Sequence, residues 1–350
     1  MTALADVVCT PGLSVHRVSA GAWLAAAPGG PAVLGGLGFG MPAALADDTL
    51  LPVSHVALRA LSPGPVVDTW TGGGTAPLRS GRCGSVRWRH DGHWLYGALE
   101  LDETVEGCTL GVLAECAYRD VFASLAHTGH AHLLRVWNYL PHINADDNGL
   151  ERYRQFNVGR QQAFLQAGQA AFEGAPAACA IGTHGGSFCV HFLAGRKAPL
   201  ALENPRQVSA YRYPSDYGPR SPSFSRAALV EAGGGRVALL ISGTASIVGH
   251  HSVHVGDVAA QLRETLANLR AVLHAAQART TARFELADLH CTVYLRHTEQ
   301  LPLVRAEIEA ALGADSLAAR TAVYLEADIC RSDLAVEIEA HAFAPGEVPS

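Results

Sequence analysis

The sequence predicts an α+β fold organised around a final strand at residues 334–340. Three observations support this fold class. Residues 86–101 contain short runs of alternating polar and apolar side chains, which are typical of antiparallel strands. Residues 258–276 carry leucine or valine at every third or fourth position, as an amphipathic helix does. The last third of the chain then follows the order strand, helix, strand, helix, strand, strand.

The final strand presents two different faces. Side chains alternate along a strand, so Val336 and Ile338 point one way while Ala335, Glu337 and Glu339 point the other. A buried carboxylate without a partner is costly. Two interpretations follow: an edge strand whose glutamates face water, or a buried strand whose glutamates have a chemical role.

The first half of the chain mixes strands and helices. The glycines of residues 32–40 lack the GxGxxG order and precede no clear amphipathic helix, so a nucleotide-binding loop is rejected. Periodicity predicts helices over 110–127 and 152–171. It also predicts a strand at 133–139, a loop at 143–149, and two strands within 177–194 around a turn at 184–186.

A loop at residues 211–226 has unusual content. It holds three Tyr, three Arg and three Pro, and its prolines exclude a regular strand or helix interior. A loop stiffened in this way can present arginine and tyrosine to an anion. An irregular surface crossing with aromatic packing is the alternative. Beyond it, strands are predicted at 236–241, 287–295 and 321–327, and a helix at 301–312.

Composition narrows the class of protein. The chain has 350 residues, 49% hydrophobic residues and a formal net charge of −6, so bulk charge does not favour nucleic acid. Its eight cysteines form no CxxC pair, and Cys/His spacing indicates no metal site. Residues 1–9 lack a signal-peptide pattern, and no membrane span is predicted. A reduced, soluble, cytoplasmic protein is expected.

The C-terminal part resembles the RidA/YjgF fold. The helix at 261–269, the segment 319–323 and the strand 336–340 carry this likeness, which covers roughly residues 230–345. Proteins of that fold are usually compact trimers with sites at subunit interfaces. The resemblance implies a RidA/YjgF-like domain at 230–350, preceded by an N-terminal α/β part at 1–130 and a central substrate-binding part at 131–229.

Further segments resemble the chorismatase family. They are residues 137–144, 153–160, 211–226 and 242–246, and with the C-terminal part the likeness spans about 130–345. The resemblance implies sheet-and-helix units that form an intramolecular pseudo-trimer. It also implies that chorismate is the substrate and that no metal or organic cofactor is needed.

Chorismate carries two carboxylates, and the planar guanidinium of arginine fits a carboxylate with two hydrogen bonds. The cations considered for this role are Arg154, Arg160, Arg220 and Arg226. Of these and the neighbouring tyrosines, the resemblance favours a binding set of Tyr153, Arg160, Tyr213 and Arg226. Each arginine could instead form a surface ion pair.

Cleavage of the enol ether requires a proton on its methylene carbon. A glutamic acid in an apolar pocket remains protonated near neutral pH, because loss of hydration raises its pKa. Glu337 matches the acid that the resemblance implies. Glu339, with the same facing, is the first fallback.

Two positions bear on the product. In the family, Ala at the position of Cys330 accompanies hydrolysis, whereas Cys accompanies aromatisation to 3-hydroxybenzoate, and the paired position aligned with Gly243 is Ala or Gly respectively. This chain has the aromatising combination. The thiol could act as a nucleophile or proton relay, and glycine could free space near the ring. The alternatives are a buried apolar cysteine and a bulge glycine.

The leading hypothesis is a chorismatase that forms 3-hydroxybenzoate, and also 4-hydroxybenzoate in some members, together with pyruvate. Products of this kind feed pigments, ubiquinone or polyketides. A chorismate hydrolase giving a dihydroxycyclohexadiene carboxylate, a RidA-type imine deaminase and a non-catalytic binding protein are the alternatives. A monomer and a homo-oligomer both stay open. A structural role is preferred for His250 and His251, and Arg320 is placed outside the primary site.

Overall fold

The computed structural model describes residues 12–25, 30, 32–41, 50–74, 77–103 and 108–349. Residues 1–9, on which the signal-peptide expectation depends, lie outside these ranges, and so does Cys9. No helix within the described ranges is long and apolar enough to cross a bilayer.

The described residues of the N-terminal region form short strands and one short helix. In chain order they are β1 Ser14–Ser19, α1 Ala20–Ala25, β2 Val33–Phe39, β3 Val53–Val56, β4 Arg59–Ser62, β5 Val66–Thr71, β6 Arg79–Cys83, β7 Val86–His90 and β8 Trp94–Leu101. The glycine-rich run 32–40 is therefore a buried strand. A Cβ at Gly35 would lie 2.2 Å from Cδ1 of Tyr96, so this glycine allows close packing.

The middle of the chain carries two packed helices. Its elements are α2 Leu110–Thr128, β9 His132–Pro141, β10 Asp146–Asp147, β11 Leu150–Glu151, α3 Arg152–Gln166, β12 Ala177–Thr183, β13 Phe188–Gly195 and β14 Leu200–Leu202. The prediction that α3 continues to residue 171 is wrong. The helix ends because Ala167 is its C-cap and Gly168 adopts φ 63°, a left-handed conformation that suits glycine.

The C-terminal region follows the predicted order of elements. Its elements are β15 Ala227–Gly233, β16 Arg236–Ala245, β17 Ile247–Val248, β18 His251–Ser252, α4 Val258–Gln277, β19 His290–Leu295, α5 Leu301–Leu312, α6 Leu317–Thr321, β20 Val323–Glu326 and β21 Val336–Pro345. Helix α5 has the predicted bounds. Strand β20 starts late because Ser316 caps a short helix there, its side chain accepting from the amide of Ala319.

Within the described residues three larger sheets form the frame, so the predicted α+β class is confirmed. Their strand orders are β1-β5-β2-β3, β12-β9-β13-β8-β7-β6 and β14-β15-β16-β21-β19-β20-β4. The antiparallel pairing predicted for 86–101 is observed between β7 and β8. The sequence did not predict the parallel pairing of β9 with β12. The sheets run across residues 130 and 229, and the three-part domain division stays a prediction.

Each face of the sheets has its own core. Helices α2 and α3 pack on the six-stranded sheet, and α4 and α5 pack on the seven-stranded sheet. A further cluster joins inner faces of all three sheets, with Trp70, Tyr139 and Tyr294 among its members. The glutamates of β21 point towards this inner side, whereas Val336 and Ile338 join the core under α4. The pseudo-trimer implied by the resemblance stays a prediction.

Candidate active site

A cavity of about 370 Å³ lies beside the start of β21, and loop 211–226 and residues 330–333 contribute to its wall. It brings together six of the predicted site residues: Tyr153, Tyr213, Arg226, Gly243, Cys330 and Glu337. The seventh, Arg160, lines a smaller cavity of about 30 Å³. The two cavities share Tyr153, Phe224, Gly243, Cys330 and Glu337, so all seven residues belong to one connected region.

Glu337 occupies a central strand. Strand β21 pairs with β16 on one side and β19 on the other, and Glu337 is only 4% exposed. An edge strand with its glutamates in water is therefore the wrong interpretation. The strand also starts later and ends later than the predicted 334–340, running over Val336–Pro345.

The carboxyl of Glu337 is in an environment that favours its neutral form. Burial raises its pKa from 4.5 to about 8, and the negative charge of Glu339 adds to the rise, whereas Arg135 and Arg226 oppose it. No hydrogen bond from another described residue holds this carboxyl. A neutral acid thus faces the cavity at neutral pH, as a general acid requires.

Glu339, the fallback acid, is held in a different environment. Its carboxylate accepts hydrogen bonds from Nη2 of Arg135 at 2.5 Å and from the hydroxyl of Tyr294 at 2.9 Å. Glu339 lines neither of the two cavities that contain Glu337. A carboxylate bound to a guanidinium is a poor proton donor, so the geometry favours Glu337 as the acid.

Gly243 provides the space that the Glu337 carboxyl occupies. A Cβ at Gly243 would lie 1.9 Å from Oε1 of Glu337 and 3.3 Å from Cβ of Cys179. The pairing of β16 with β21 shifts register between Ile241 and Thr244, so Gly243 is also a bulge residue. The strand predicted to end at residue 241 continues through this bulge to Ala245.

Cys330 lies where the two cavities meet. Burial raises the pKa of its thiol to about 12, and the nearby Glu337 contributes to the rise. The thiol is therefore neutral at physiological pH. This argues against the predicted nucleophilic role, which needs a thiolate, and favours a neutral group that shapes the site or passes a proton.

Helix α3 presents Tyr153 and Arg160 on the same side. The residues are seven positions apart, which is two turns of an α-helix. The guanidinium of Arg160 lies over the rings of Tyr118, Phe156 and Phe164, at 5.2, 5.8 and 5.3 Å from their centroids. Its buried Nε and Nη2 have no hydrogen-bond partner within the described ranges. Such donors could bind a carboxylate.

Arg226 is the second cation of the region, at the entry to β15. Its Nη2 donates to the carbonyl of Val208 and to the hydroxyl of Tyr213, both at 2.9 Å. Its buried Nε has no partner among the described residues. Arg226 and Tyr213 are thus held together at the cavity wall, with donor capacity left over.

Sequence reasoning missed Arg331 as a residue of the cavity wall. Its guanidinium stacks on Tyr217 at 4.2 Å and on Tyr213 at 5.3 Å, and Nη1 donates to the carbonyl of His250 at 2.9 Å. It therefore joins loop 211–226 to the segment after β17. Its place next to Cys330 was the only signal that the sequence offered.

The histidine pair has the geometry of a supporting element. The carbonyl of His250 accepts from the hydroxyl of Tyr217 at 2.6 Å, and its ring Nδ1 lies 3.2 Å from the same hydroxyl. His251 lines the cavity. Within the described ranges no three His, Cys, Asp or Glu side chains are arranged to hold a metal ion.

Comparison with known proteins identifies the family. The family model for the N-terminal part of FkbO/Hyg5-like chorismatases matches residues 68–194. A 3-hydroxybenzoate synthase of Streptomyces hygroscopicus is 35% identical over 299 residues, which are 82% of this chain and 84% of that protein. A chorismatase of Streptomyces rapamycinicus is 39% identical over 272 residues, 75% of this chain and 78% of that protein. The chain belongs to the chorismatase family.

The structural comparison agrees with this chorismatase assignment. A crystal structure of a chorismatase matches with a TM-score of 0.81 and 31% identity, covering 95% of this chain and 98% of that one. The chorismatase family and the α+β chorismatase fold expected from the sequence are confirmed, and the intramolecular pseudo-trimer stays a prediction. The YjgF gene product of E. coli aligns to 41% of this chain and 97% of its own, with 22% identity and a TM-score of 0.30.

Proposed function

We propose that this chorismatase converts chorismate to 3-hydroxybenzoate and pyruvate. The observation that carries the proposal is the neutral carboxyl of Glu337 facing a cavity that also holds guanidinium groups. The similarity to a protein named 3-hydroxybenzoate synthase supports the choice of product. The seven described cysteines are free thiols, which suits a reducing cytoplasm.

Substrate binding is assigned to two arginines and two tyrosines. Arg160 and Arg226 carry buried guanidinium donors without partners in the described chain, and chorismate has one carboxylate for each. Tyr153 and Tyr213 line the larger cavity with Arg226 and add neutral hydroxyl groups. This set fixes the substrate so that its enol ether faces Glu337.

The first chemical step is proton transfer from Glu337 to the methylene carbon of the enolpyruvyl group. The product is an oxocarbenium ion, and water adds to its carbon to form a hemiketal. Collapse of the hemiketal breaks its bond to the C3 oxygen, which leaves with a proton as the ring hydroxyl while pyruvate is released. The carboxylate formed on Glu337 is stabilised by Arg226, whose charge favours the ionised form.

Aromatisation completes the reaction without an external oxidant. Pyruvate leaves with the three carbons of the side chain. The ring loses the C4 hydroxyl together with the proton on C3 as one water, which balances the water that released pyruvate. Losing the C3 substituent instead gives 4-hydroxybenzoate. Cys330 and Gly243 lie beside Glu337, where they can influence which bond breaks.

Activity should depend on the protonation of Glu337. The acid is active only with its proton, and its pKa is raised to about 8. We expect kcat/KM to fall as the pH rises through about 8, because the proton is then lost. Pyruvate release measured from about pH 6 to about pH 10 checks this. A rate that increases across this range would exclude Glu337 as the acid.

Replacing Cys330 should change the product. In Cys330→Ala we expect a larger share of the dihydroxycyclohexadiene carboxylate, since the group that favours aromatisation is gone. Chromatography of the products against standards measures the share. Cys116→Ala, on helix α2 and outside both cavities, is the control. An unchanged product ratio would remove Cys330 from the mechanism.

A substrate panel separates this function from the alternatives. Purified protein should release pyruvate from chorismate. It should not accelerate the spontaneous hydrolysis of 2-aminoacrylate. Turnover of 2-aminoacrylate without turnover of chorismate would select an imine deaminase. Tight chorismate binding without pyruvate release would select a binding protein.

A further inference from the structure

A buried ion pair lies directly behind the proposed acid. Glu339 is two residues after Glu337 on the same face of β21, and it is 5% exposed. Arg135 lies on β9 of the neighbouring sheet and is 2% exposed. Its Nη2 donates to the carboxylate of Glu339 at 2.5 Å. The pair therefore connects the strand that carries the acid to a different sheet.

The pair is held in place from several sides. The hydroxyl of Tyr294 donates to Glu339 at 2.9 Å and lies 3.3 Å from the hydroxyl of Tyr139. The guanidinium of Arg135 lies 5.3 Å from the ring centre of Trp137, and its buried Nη1 has no partner in the described ranges. Loss of either partner would leave an uncompensated charge in a buried position.

We propose that Arg135 and Glu339 act as a positioning pair next to Glu337. Glu339 balances the charge of Arg135, so that the buried carboxyl of Glu337 stays in the neutral form that donates the proton. The inference rests on the proposed function. It gives Glu339 a role that does not require it to touch the substrate.

The electrostatics agree with this geometry. The negative charge of Glu339 raises the pKa of Glu337, whereas the positive charge of Arg135 lowers it. Strand β16 presents Gly243 and Ala245 at this point, neither of which titrates. Among the described residues, the titratable groups around Glu337 are Glu339 on its own strand, Tyr294 paired with it on β19, Arg135 on β9, Cys179 on β12, Tyr153 and Arg160 on α3, Arg226 at the start of β15, and Cys330 in the preceding loop.

The deciding variant is Glu339→Gln. Glutamine keeps the shape and an acceptor for Tyr294, but it leaves Arg135 as an unbalanced cation. The basic limb is the fall in kcat/KM on the alkaline side of the pH profile, and we expect it to occur at a pH lower by about one unit or more. The double variant Arg135→Met/Glu339→Gln removes both charges and should move the limb back towards the wild-type position. A role in packing alone would instead lower activity evenly across pH.

A matched control uses an exposed pair. Nη1 of Arg263 on α4 lies 3.1 Å from Oε1 of Glu307 on α5, outside the cavity, so Glu307→Gln should leave the limb unmoved. A limb that stays at the wild-type pH in Glu339→Gln would overturn the inference. A double variant that shifts as far as Glu339→Gln would also overturn it.

An infrared titration tests the same inference without turnover. The band of the protonated Glu337 carboxyl, identified by its loss in Glu337→Gln, should disappear at lower pH in Glu339→Gln than in the wild type. An equal midpoint in both proteins would reject the inference, even if the double variant does not fold. Wild-type protein that leaves chorismate intact would reject the proposed function alone, because the titration does not depend on it.

Discussion

Glu337→Gln should lower the rate of pyruvate release by roughly 10³-fold, because it removes the proton that the enol ether needs. Glutamine has nearly the same size and no charge, so the cavity keeps its shape. Chorismate binding should remain close to that of the wild type, since the two arginines and two tyrosines of the binding set are unchanged. Steady-state pyruvate release and calorimetric titration with chorismate measure the two quantities.

The same variant has a second signature, in stability. In the folded protein Glu337 holds its proton up to about pH 8, whereas in the unfolded chain its pKa is near the ordinary 4.5. Between these values the folded state binds more protons, so this group makes stability fall as the pH rises. Glu337→Gln should remove that loss and raise Tm relative to the wild type near pH 9. If Glu337→Gln kept full activity, or if its Tm near pH 9 equalled that of the wild type, Glu337 would not be the buried neutral acid described above.

Gly243→Ala should have the second large effect. The added Cβ would lie 1.9 Å from Oε1 of Glu337, so the carboxyl must leave its present position. Misplacement of a catalytic group by about 1 Å can cost about 10²-fold in rate. We therefore expect kcat to fall by about 10²-fold with little change in KM, because the binding arginines are not displaced. The family pattern further predicts more dihydroxycyclohexadiene carboxylate among the remaining products.

Gly185→Ala is the matched control for this substitution. Gly185 lies in the turn between β12 and β13, and a Cβ there would meet no atom within 4 Å. Its kcat should equal that of the wild type. If Gly243→Ala also kept the wild-type kcat, the position of the Glu337 carboxyl in this structure would not be its position during catalysis.

Much of the fold could be predicted from the sequence because local signals were strong. Helix α5 and the strands between Val86 and Leu101 follow from periodicity alone. The end of α3 was missed because the helical spacing continues past Gly168, whose left-handed conformation stops the helix. The long-range pairing of sheets has no local signal, so the parallel contact of β9 with β12 could not be predicted.

The site shows the same division. Long, unusual motifs singled out Tyr153, Arg160, Tyr213 and Arg226, and the structure places them around two cavities that share lining residues. Arg331 was missed because a single arginine in a short connection carries no pattern. The pairing of Glu339 with Arg135 joins residues 204 positions apart, so the sequence carried no local sign of it. Alternation along the strand puts Glu337 and Glu339 on the same face and could not show which of the two is paired.

Product analysis of the purified protein with chorismate alone tests the central claim most directly. The protein is first treated with a chelator, and no cofactor is added. We expect pyruvate and 3-hydroxybenzoate in equal amounts, and we expect the rate at which both form to fall above about pH 8 as Glu337 ionises. Chorismate that stays intact, or pyruvate that appears only after a metal or cofactor is added, would contradict it.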